Sequence, residues 1–291
     1  MRRAIALSAA GMATTSPNPP VGCVVLRPDG QIAGEGYHER KGEAHAEGNA
    51  LAAAGKWAAG GTAVVSLEPC NHEGRAPACS RLLLGARVAR VVIGVLDPTS
   101  RDGGGAARLR ESGVNVEVGV LTDEAMVVLG PWLAALDSRR PMITLAYVAA
   151  GDGMATLPAD LGEARLLRLD SDAVLHADGS VIEAVPGSHG AGMLRLSGFG
   201  ADEDCGAVAA SIYAGGVRRL LLDGSSAWTQ PFLDLGLVDR VFAYLPDGGA
   251  SRTADTAAPD VLPPGFSIVA VARLDGFVRV EGRRVGIKAE R

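Results

Sequence analysis

Two mainly apolar runs constrain this chain most: TAVVSL, residues 62–67, and VARVVIGVL, Val88 to Leu96, broken by Ser66 and Arg90 alone in their interiors. Neither alternates polar with apolar residues, so neither suits a strand with one wet face. Both have the length of strands and are rich in valine. Such runs are buried on both faces, which requires layers of helix above and below a sheet. The flanking sequence supplies them. Arg2 to Ala10 reads as a short helix. Val21 to Leu26 and Ile32 to Tyr37 read as a hairpin turning at Pro28-Asp29-Gly30. Ala44 to Ala54 is helical in composition and stops before Gly55. Pro77 to Leu84 reads as a helix with proline in its first turn. Gly105 to Glu111 reads as a helix, and VNVEVGVL as a last strand. The order is αββαβαβαβ, an α/β fold.

Thr122 to Leu136 reads as a connecting helix, and a second α/β block begins at Arg140-Pro141. Its strand candidates are MITLAYVAA, DAVLHA, RRLLLDG and DRVFAYLP, with Cys205 to Ala214 as a helix between them. Residues 250–264 carry three prolines and no hydrophobic period, so a loop is expected there. The expected organisation is a domain over 1–121, a connection over 122–139 and a second domain over 140–291.

Composition narrows the class. Hydrophobic residues make up 47% of 291, so a sizeable core is expected; aromatics at 4% leave Ala, Val and Leu to fill it, as α/β layers allow. A net charge of −5 argues against a strongly electrostatic nucleic-acid binder, although not against a small basic pocket for one phosphate. No apolar run reaches about 18 residues, so no membrane span is expected. The Arg2-Arg3 start leads through a short, broken apolar stretch into strand-like sequence and reads as a domain helix, not a signal peptide. Four cysteines in a chain of this length do not make a disulfide framework. A soluble, cytoplasmic protein is expected.

The chemistry concentrates in the first block. His45-Ala46-Glu47 opens a helix, Pro69-Cys70 ends a buried strand, and Cys79 opens another helix. One histidine and two thiolates suit zinc, and three protein ligands leave the fourth tetrahedral position open, as catalytic sites do. Glu47 is then free to shuttle protons. This is the chemistry of the zinc nucleobase deaminases, whose signature is H-x-E followed by P-C-x-x-C. Here eight residues separate the cysteines, not two, and the intervening loop carries His72 and Arg75. Blander readings stand beside these. The weaker reading of Cys70 and Cys79, given HAE upstream, is buried thiols or a structural pair; that of His38 is a turn support, of Asn18 a turn cap, and of His72 a fourth zinc ligand. Cys23 lies in a buried strand and reads as core.

HAE, LEPCNHEGRAPAC and SPNPPVGCVV together resemble the deaminase domain of the bifunctional riboflavin-biosynthesis deaminase/reductase family, over residues 1 to about 125. That family has a P-C-x-H-x-G-[RK]-T-P-P-C loop and an N-P-x-V-G segment. The resemblance implies a cytidine-deaminase-like α/β/α three-layer domain. It implies zinc held by His45, Cys70 and Cys79, and Glu47 as the proton shuttle. It implies substrate contacts from Asn18, His38, His72 and Arg75, the last pairing with a phosphate. The implied substrate is diaminohydroxyphosphoribosylaminopyrimidine, a phosphorylated pyrimidine nucleotide that loses an exocyclic amine, and the family favours homo-oligomers. Ala76 and Ala78 depart from the loop pattern. Gly48 stands where a larger residue is usual, which would open the back of the pocket.

Residues 140–291 resemble the same family's reductase domain, implying a dihydrofolate-reductase-like fold. RPMITLAYVAAGDGMAT follows its R-P-[FY]-[VI]-T-L-K-x-A-x-S-x-D-G-[KR], and GLVDRVF its closing segment. The reactive positions depart: Ala146 replaces the lysine, Met154 the basic residue after Asp152-Gly153, and Gly224-Ser225 the glycine pair. NADPH binding is therefore in doubt, and the domain reads as inactive, with reduction left to a separate reductase. Other readings remain open: a paralogous deaminase acting on another aminopyrimidine or purine-like metabolite, residual reductase activity, or a non-catalytic flavin-precursor binder or structural partner.

Overall fold

The computed structural model describes residues 1–72, 77–100, 103–150, 153–200, 202–224, 227–247, 261–274 and 276–285. The chain forms two compact units. Met1–Leu133 belongs with His189–Met193, and Ala134–Ser188 with Leu194–Arg291. Within the described residues, no helix is long and apolar enough to cross a membrane.

The first unit follows the expected order. Helix α1 (Arg2–Ala9) precedes the hairpin β1 (Gly22–Leu26) and β2 (Ile32–Tyr37). Then come α2 (Ala46–Ala54), β3 (Thr62–Leu67), α3 (Cys79–Gly85), β4 (Arg90–Val95), α4 (Gly104–Glu111), β5 (Asn115–Val118) and α5 (Thr122–Ser138), of which the residues up to Leu133 belong to this unit. A five-stranded sheet runs β2-β1-β3-β4-β5. β1 is antiparallel to β2 and β3, while β3, β4 and β5 are parallel. The two apolar runs are thus adjacent central strands. Val65, Val91 and Ile93 are wholly buried.

Helices cover both faces. Side chains alternate along a strand, and a Cβ at Gly22 would meet the backbone of α1, whereas one at Gly36, opposite Cys23, would meet α2. Cys23 is fully buried, and burial pushes its thiol pKa up, as for a core cysteine. Two boundaries differ from expectation. α3 starts at Cys79, not at Pro77, and α2 at Ala46, not at Ala44. In each case the site residue sits where the helix begins.

The second unit has an eight-stranded sheet. Its strands are β6 (Met142–Ala150), β7 (Gly153–Ala155), β8 (Ala173–Leu175), β9 (Val181–Glu183), β10 (Arg219–Asp223), β11 (Arg240–Pro246), β12 (Phe266–Leu274) and β13 (Phe277–Arg284). The order is β12-β13-β11-β6-β10-β8-β9, with β7 on β6. Helices α6 (Gly162–Leu169), α7 (Cys205–Ala214) and α8 (Thr229–Asp234) complete it. The four expected strands correspond to β6, β8, β10 and β11. Within GLVDRVF, Asp239 is structural. It accepts two hydrogen bonds from Arg140, at 2.7 and 2.6 Å, and one from the Ile143 N–H at 2.8 Å, locking the starts of β11 and β6 together.

Candidate metal centre

The first unit brings two helix N-termini to the exit of β3. His45 is the N-cap of α2, and Cys79 is the first residue of α3. Backbone N–H groups in a first helical turn have no partner within the helix. The Cys79 N–H finds one in the Cys70 sulfur, at 3.3 Å. The Ser80 N–H donates to the Cys70 carbonyl at 3.1 Å, and the Ser80 hydroxyl to Asn71 Oδ1 at 2.8 Å. These contacts close the base of the long inter-cysteine loop.

His45 Nδ1 lies 3.6 Å from Cys70 Sγ and 3.3 Å from Cys79 Sγ, and one ligand atom from each of the three residues falls within 4.8 Å of the others. A tetrahedral zinc with Zn–S of about 2.3 Å and Zn–N of about 2.0–2.1 Å needs N···S separations of about 3.6 Å. The donor set therefore fits zinc by atom type and by spacing. The protons respond to the crowding. The Cys79 thiol, together with His45 and the Cys79 N–H, stabilises the Cys70 thiolate and brings its pKa down to about 4. Cys79 is pushed up by that same thiol-to-sulfur bond and by burial. His45 is raised, chiefly by its bond to Cys70. A divalent cation bound there would displace the protons these three donors share and neutralise their negative charge.

Glu47, in the first turn of α2, is buried at 3% exposure, and its carboxyl interacts with the Cys79 side chain. Burial raises its pKa. It reaches the same donors from the side, without being one of the three that converge.

On the other flank, His38 is 2% exposed, with its ring centroid 5.1 Å from that of His45. Its Nδ1 faces the Ala44 carbonyl at 3.0 Å, and its Nε2 faces Asn18 Nδ2 at 3.2 Å. A carbonyl only accepts, so Nδ1 carries the proton, and Nε2 of the neutral ring accepts from the Asn18 amide. Burial lowers the His38 pKa, which favours that neutral form. The turn-support reading of His38 thus holds for one nitrogen, while the other aims the Asn18 side chain. Asn18 follows the cis Ser16–Pro17 bond, and its N–H closes a turn on Thr15. The indole of Trp132, on α5, donates to the Pro17 carbonyl at 3.0 Å. Trp132 is a support the sequence reading missed; an isolated tryptophan in a helix gives no sign of which loop it holds.

His72 is exposed and stands apart from the converging donors, so among the described residues the group has three members and not four. Arg75 lies outside the described residues. Gly48 faces Ala44 and Leu82, where an added methyl would be in ordinary contact at 3.6 and 3.8 Å; the missing side chain there bears on helix packing against α3.

Comparison with known proteins agrees with this geometry. Residues 1–95 match the model of the cytidine and deoxycytidylate deaminase zinc-binding region. A diaminohydroxyphosphoribosylamino-pyrimidine deaminase from Buchnera aphidicola is 48% identical over 126 residues, 43% of this chain and 85% of that protein. The riboflavin biosynthesis protein RibD of Escherichia coli K12 is 41% identical over 197 residues, 64% of this chain. The chain spans about half the length of that protein and of the Aquifex aeolicus relative, 53% and 55%. The crystal structure of a diaminohydroxyphosphoribosylaminopyrimidine deaminase/5-amino-6-(5-phosphoribosylamino)uracil reductase from Thermotoga maritima superposes with a TM-score of 0.78 at 25% identity, covering 98% of this chain and 97% of that one. With a His/Cys/Cys centre in the first unit and both units aligned to that enzyme, the chain belongs to the riboflavin-biosynthesis deaminase/reductase family.

Proposed function

We propose that the chain is a zinc-dependent hydrolytic deaminase of diaminohydroxyphosphoribosylaminopyrimidine, with a second unit that no longer reduces. The observation that carries this reading is the convergence of His45, Cys70 and Cys79 beside the buried Glu47. His45, Cys70 and Cys79 would hold the ion, which supplies Lewis acidity that activates water near neutral pH. Glu47 takes one proton from the attacking water and gives it to the ring nitrogen, then takes the proton of the newly formed hydroxyl and gives it to the departing amine. A C–O bond forms at the amidine carbon, the C–N bond breaks, and ammonia leaves. The Asn18 amide, oriented by His38, offers its oxygen to the pyrimidine ring. His72 and Arg75, in the loop between the cysteines, are assigned to the ribose-phosphate end, where a guanidinium suits a phosphate.

The inactive reductase reading is supported by what replaces the polar residues. Ala146 is 5% exposed and packs in an apolar cluster with Leu167, Val174 and Phe242. A Cβ at Gly224 would lie 2.3 Å from that of Tyr147, so packing against β6 accounts for that glycine without a dinucleotide phosphate. The deaminated product would then pass to a separate reductase.

One experiment tests both units: product analysis by mass spectrometry after incubating zinc-loaded protein with the diaminopyrimidine nucleotide, with and without NADPH. The expected result is ammonia and the aminouracil nucleotide, with no ribityl product in either case. No turnover of that nucleotide would sink the substrate assignment, and turnover of another aminopyrimidine or purine instead would mark a paralogue. A ribityl product formed only with NADPH would show a working reductase.

A homo-oligomer is also part of this reading. The outermost strand β12 exposes Ile268, Val269 and Val271 at 59%, 49% and 61%, and an apolar edge strand of this kind favours self-pairing. Ile268→Lys with Val271→Lys is expected to halve the mass seen by light scattering. An unchanged mass would place the contact elsewhere.

A further inference from the structure

We propose that Glu68 is a positioning residue for Cys70, setting the direction in which β3 delivers that ligand; this rests on the metal reading above. Glu68 is a carboxylate at 7% exposure, two residues before Cys70, and the proton transfers assigned to Glu47 do not use it. Its Oε1 accepts from the Ala106 N–H at 2.9 Å. Its Oε2 accepts from the Asp97 N–H at 3.2 Å and the Ser100 hydroxyl at 3.1 Å. One carboxylate therefore ties the exit of β3 to the turn after β4 and to the first turn of α4.

The approach of α4 is unusually close. Gly104 has φ +84°, and a Cβ there would lie 2.5 Å from Glu68 Oε1. A Cβ at Gly105 would lie 1.9 Å from the Pro69 carbonyl oxygen. Only bare backbone lets the helix end abut the Glu68–Pro69–Cys70 segment. Gly105, read in the sequence only as the start of a helix, acquires a reason in this contact, as does Gly104 before it. Charge-assisted bonds to backbone N–H groups are strong and directional. Between Glu68 and Cys70 stands a single proline with its φ locked by the ring, so a tilt at Glu68 passes to Cys70 with little slack. From the far side Cys70 is held by Ser80 and by the Cys79 N–H. Its sulfur is thus set between two backbone anchors, and Glu68 is the one outside the ligand loop. Tetrahedral zinc tolerates little error in such a position.

The test uses the full chain with Glu68→Gln, Glu68→Ala and Gly105→Ala. Gly113→Ala is the control, because Gly113 has φ +83° at the far end of α4 with nothing within 4 Å of an added Cβ. Zinc affinity is measured by chelator competition, the visible ligand-field spectrum with Co(II) in place of zinc, and thermal midpoints on metal-free protein. Removing groups that hold metal ligands in place costs about 10- to 100-fold in affinity. Glu68→Gln should fall near the lower figure. Its carbonyl keeps the Ala106 bond and its amide can donate to Ser100, but the Asp97 N–H loses its acceptor. Glu68→Ala and Gly105→Ala should fall near the upper figure, with weakened tetrahedral cobalt bands. Gly113→Ala should lower the midpoint and leave affinity and spectrum unchanged. If Glu68→Gln and Gly105→Ala behave like Gly113→Ala, Glu68 is only a helix cap and the proposal fails. If Glu68→Ala does not fold, Glu68→Gln and Gly105→Ala still decide. If the unmodified protein binds neither zinc nor cobalt, the metal reading falls, and this inference with it.

Discussion

Glu47→Gln is expected to lower the rate of ammonia release by about 10⁴-fold while zinc remains at full occupancy. General acid–base catalysis contributes about 10²–10⁴-fold, and here one carboxylate serves more than one transfer, so the upper end applies. Glutamine keeps the size and polarity of the side chain in the first turn of α2 but cannot carry a proton. The position is 3% exposed, so bulk water has poor access as a substitute. Metal analysis beside steady-state kinetics separates the role from a folding effect. A variant that keeps zinc and turns over within tenfold of the parent would remove Glu47 from the mechanism.

Cys79→Ala is expected to weaken zinc binding by about 10²–10³-fold and to abolish turnover at submicromolar zinc. Zinc sites with four ligands bind with about 10–16 kcal/mol, or roughly 3–4 kcal/mol per ligand, and each 1.4 kcal/mol is tenfold. The fold should survive. Alanine suits the first position of α3, and its backbone N–H can still donate to the Cys70 sulfur, the bond that now spans 3.3 Å. Chelator competition beside circular dichroism measures both effects. Unchanged zinc affinity with an intact spectrum would mean that Cys79 is a buried thiol and no ligand.

These expectations began as patterns in the chain, and the elements differ in how far the pattern reached. TAVVSL and VARVVIGVL were legible as buried strands because they are mainly apolar without a polar alternation, and both became central strands of the first sheet. The hairpin of β1 and β2 was legible because Asp29-Gly30 marks its turn. The hairpin of β12 and β13 was missed although its strands pair antiparallel from Phe266 to Leu274. β12 is exposed on both faces, so FSIVAVARL has no alternation to read. α6 was missed because GEARLLRL is barely two turns long and has no side-chain cap. α3 was placed two residues early because Pro77 is a good first-turn residue; the bonds that Cys70 accepts from Cys79 and Ser80 favour a later start.

In the candidate site, His45, Glu47, Cys70 and Cys79 stood out because the proposed metal ligation and proton transfer demand particular side chains at helix and strand ends. Asn18 and His38 were named, but not the hydrogen bond between them, since the bond spans twenty residues and depends on the Ala44 carbonyl to set the tautomer. Trp132 and Glu68 left no local mark, because each acts through a backbone group far along the chain.

The sequence by itself determined the chemistry available: a histidine, two thiols and a carboxylate, with a donor set suited to zinc. Only the tertiary structure decided that these groups meet. The starts of α2 and α3 and the end of β3 come together because both faces of the sheet must be covered, and because orphan N–H groups at a helix start must find acceptors. Those requirements act through space, so spacing along the chain does not record them.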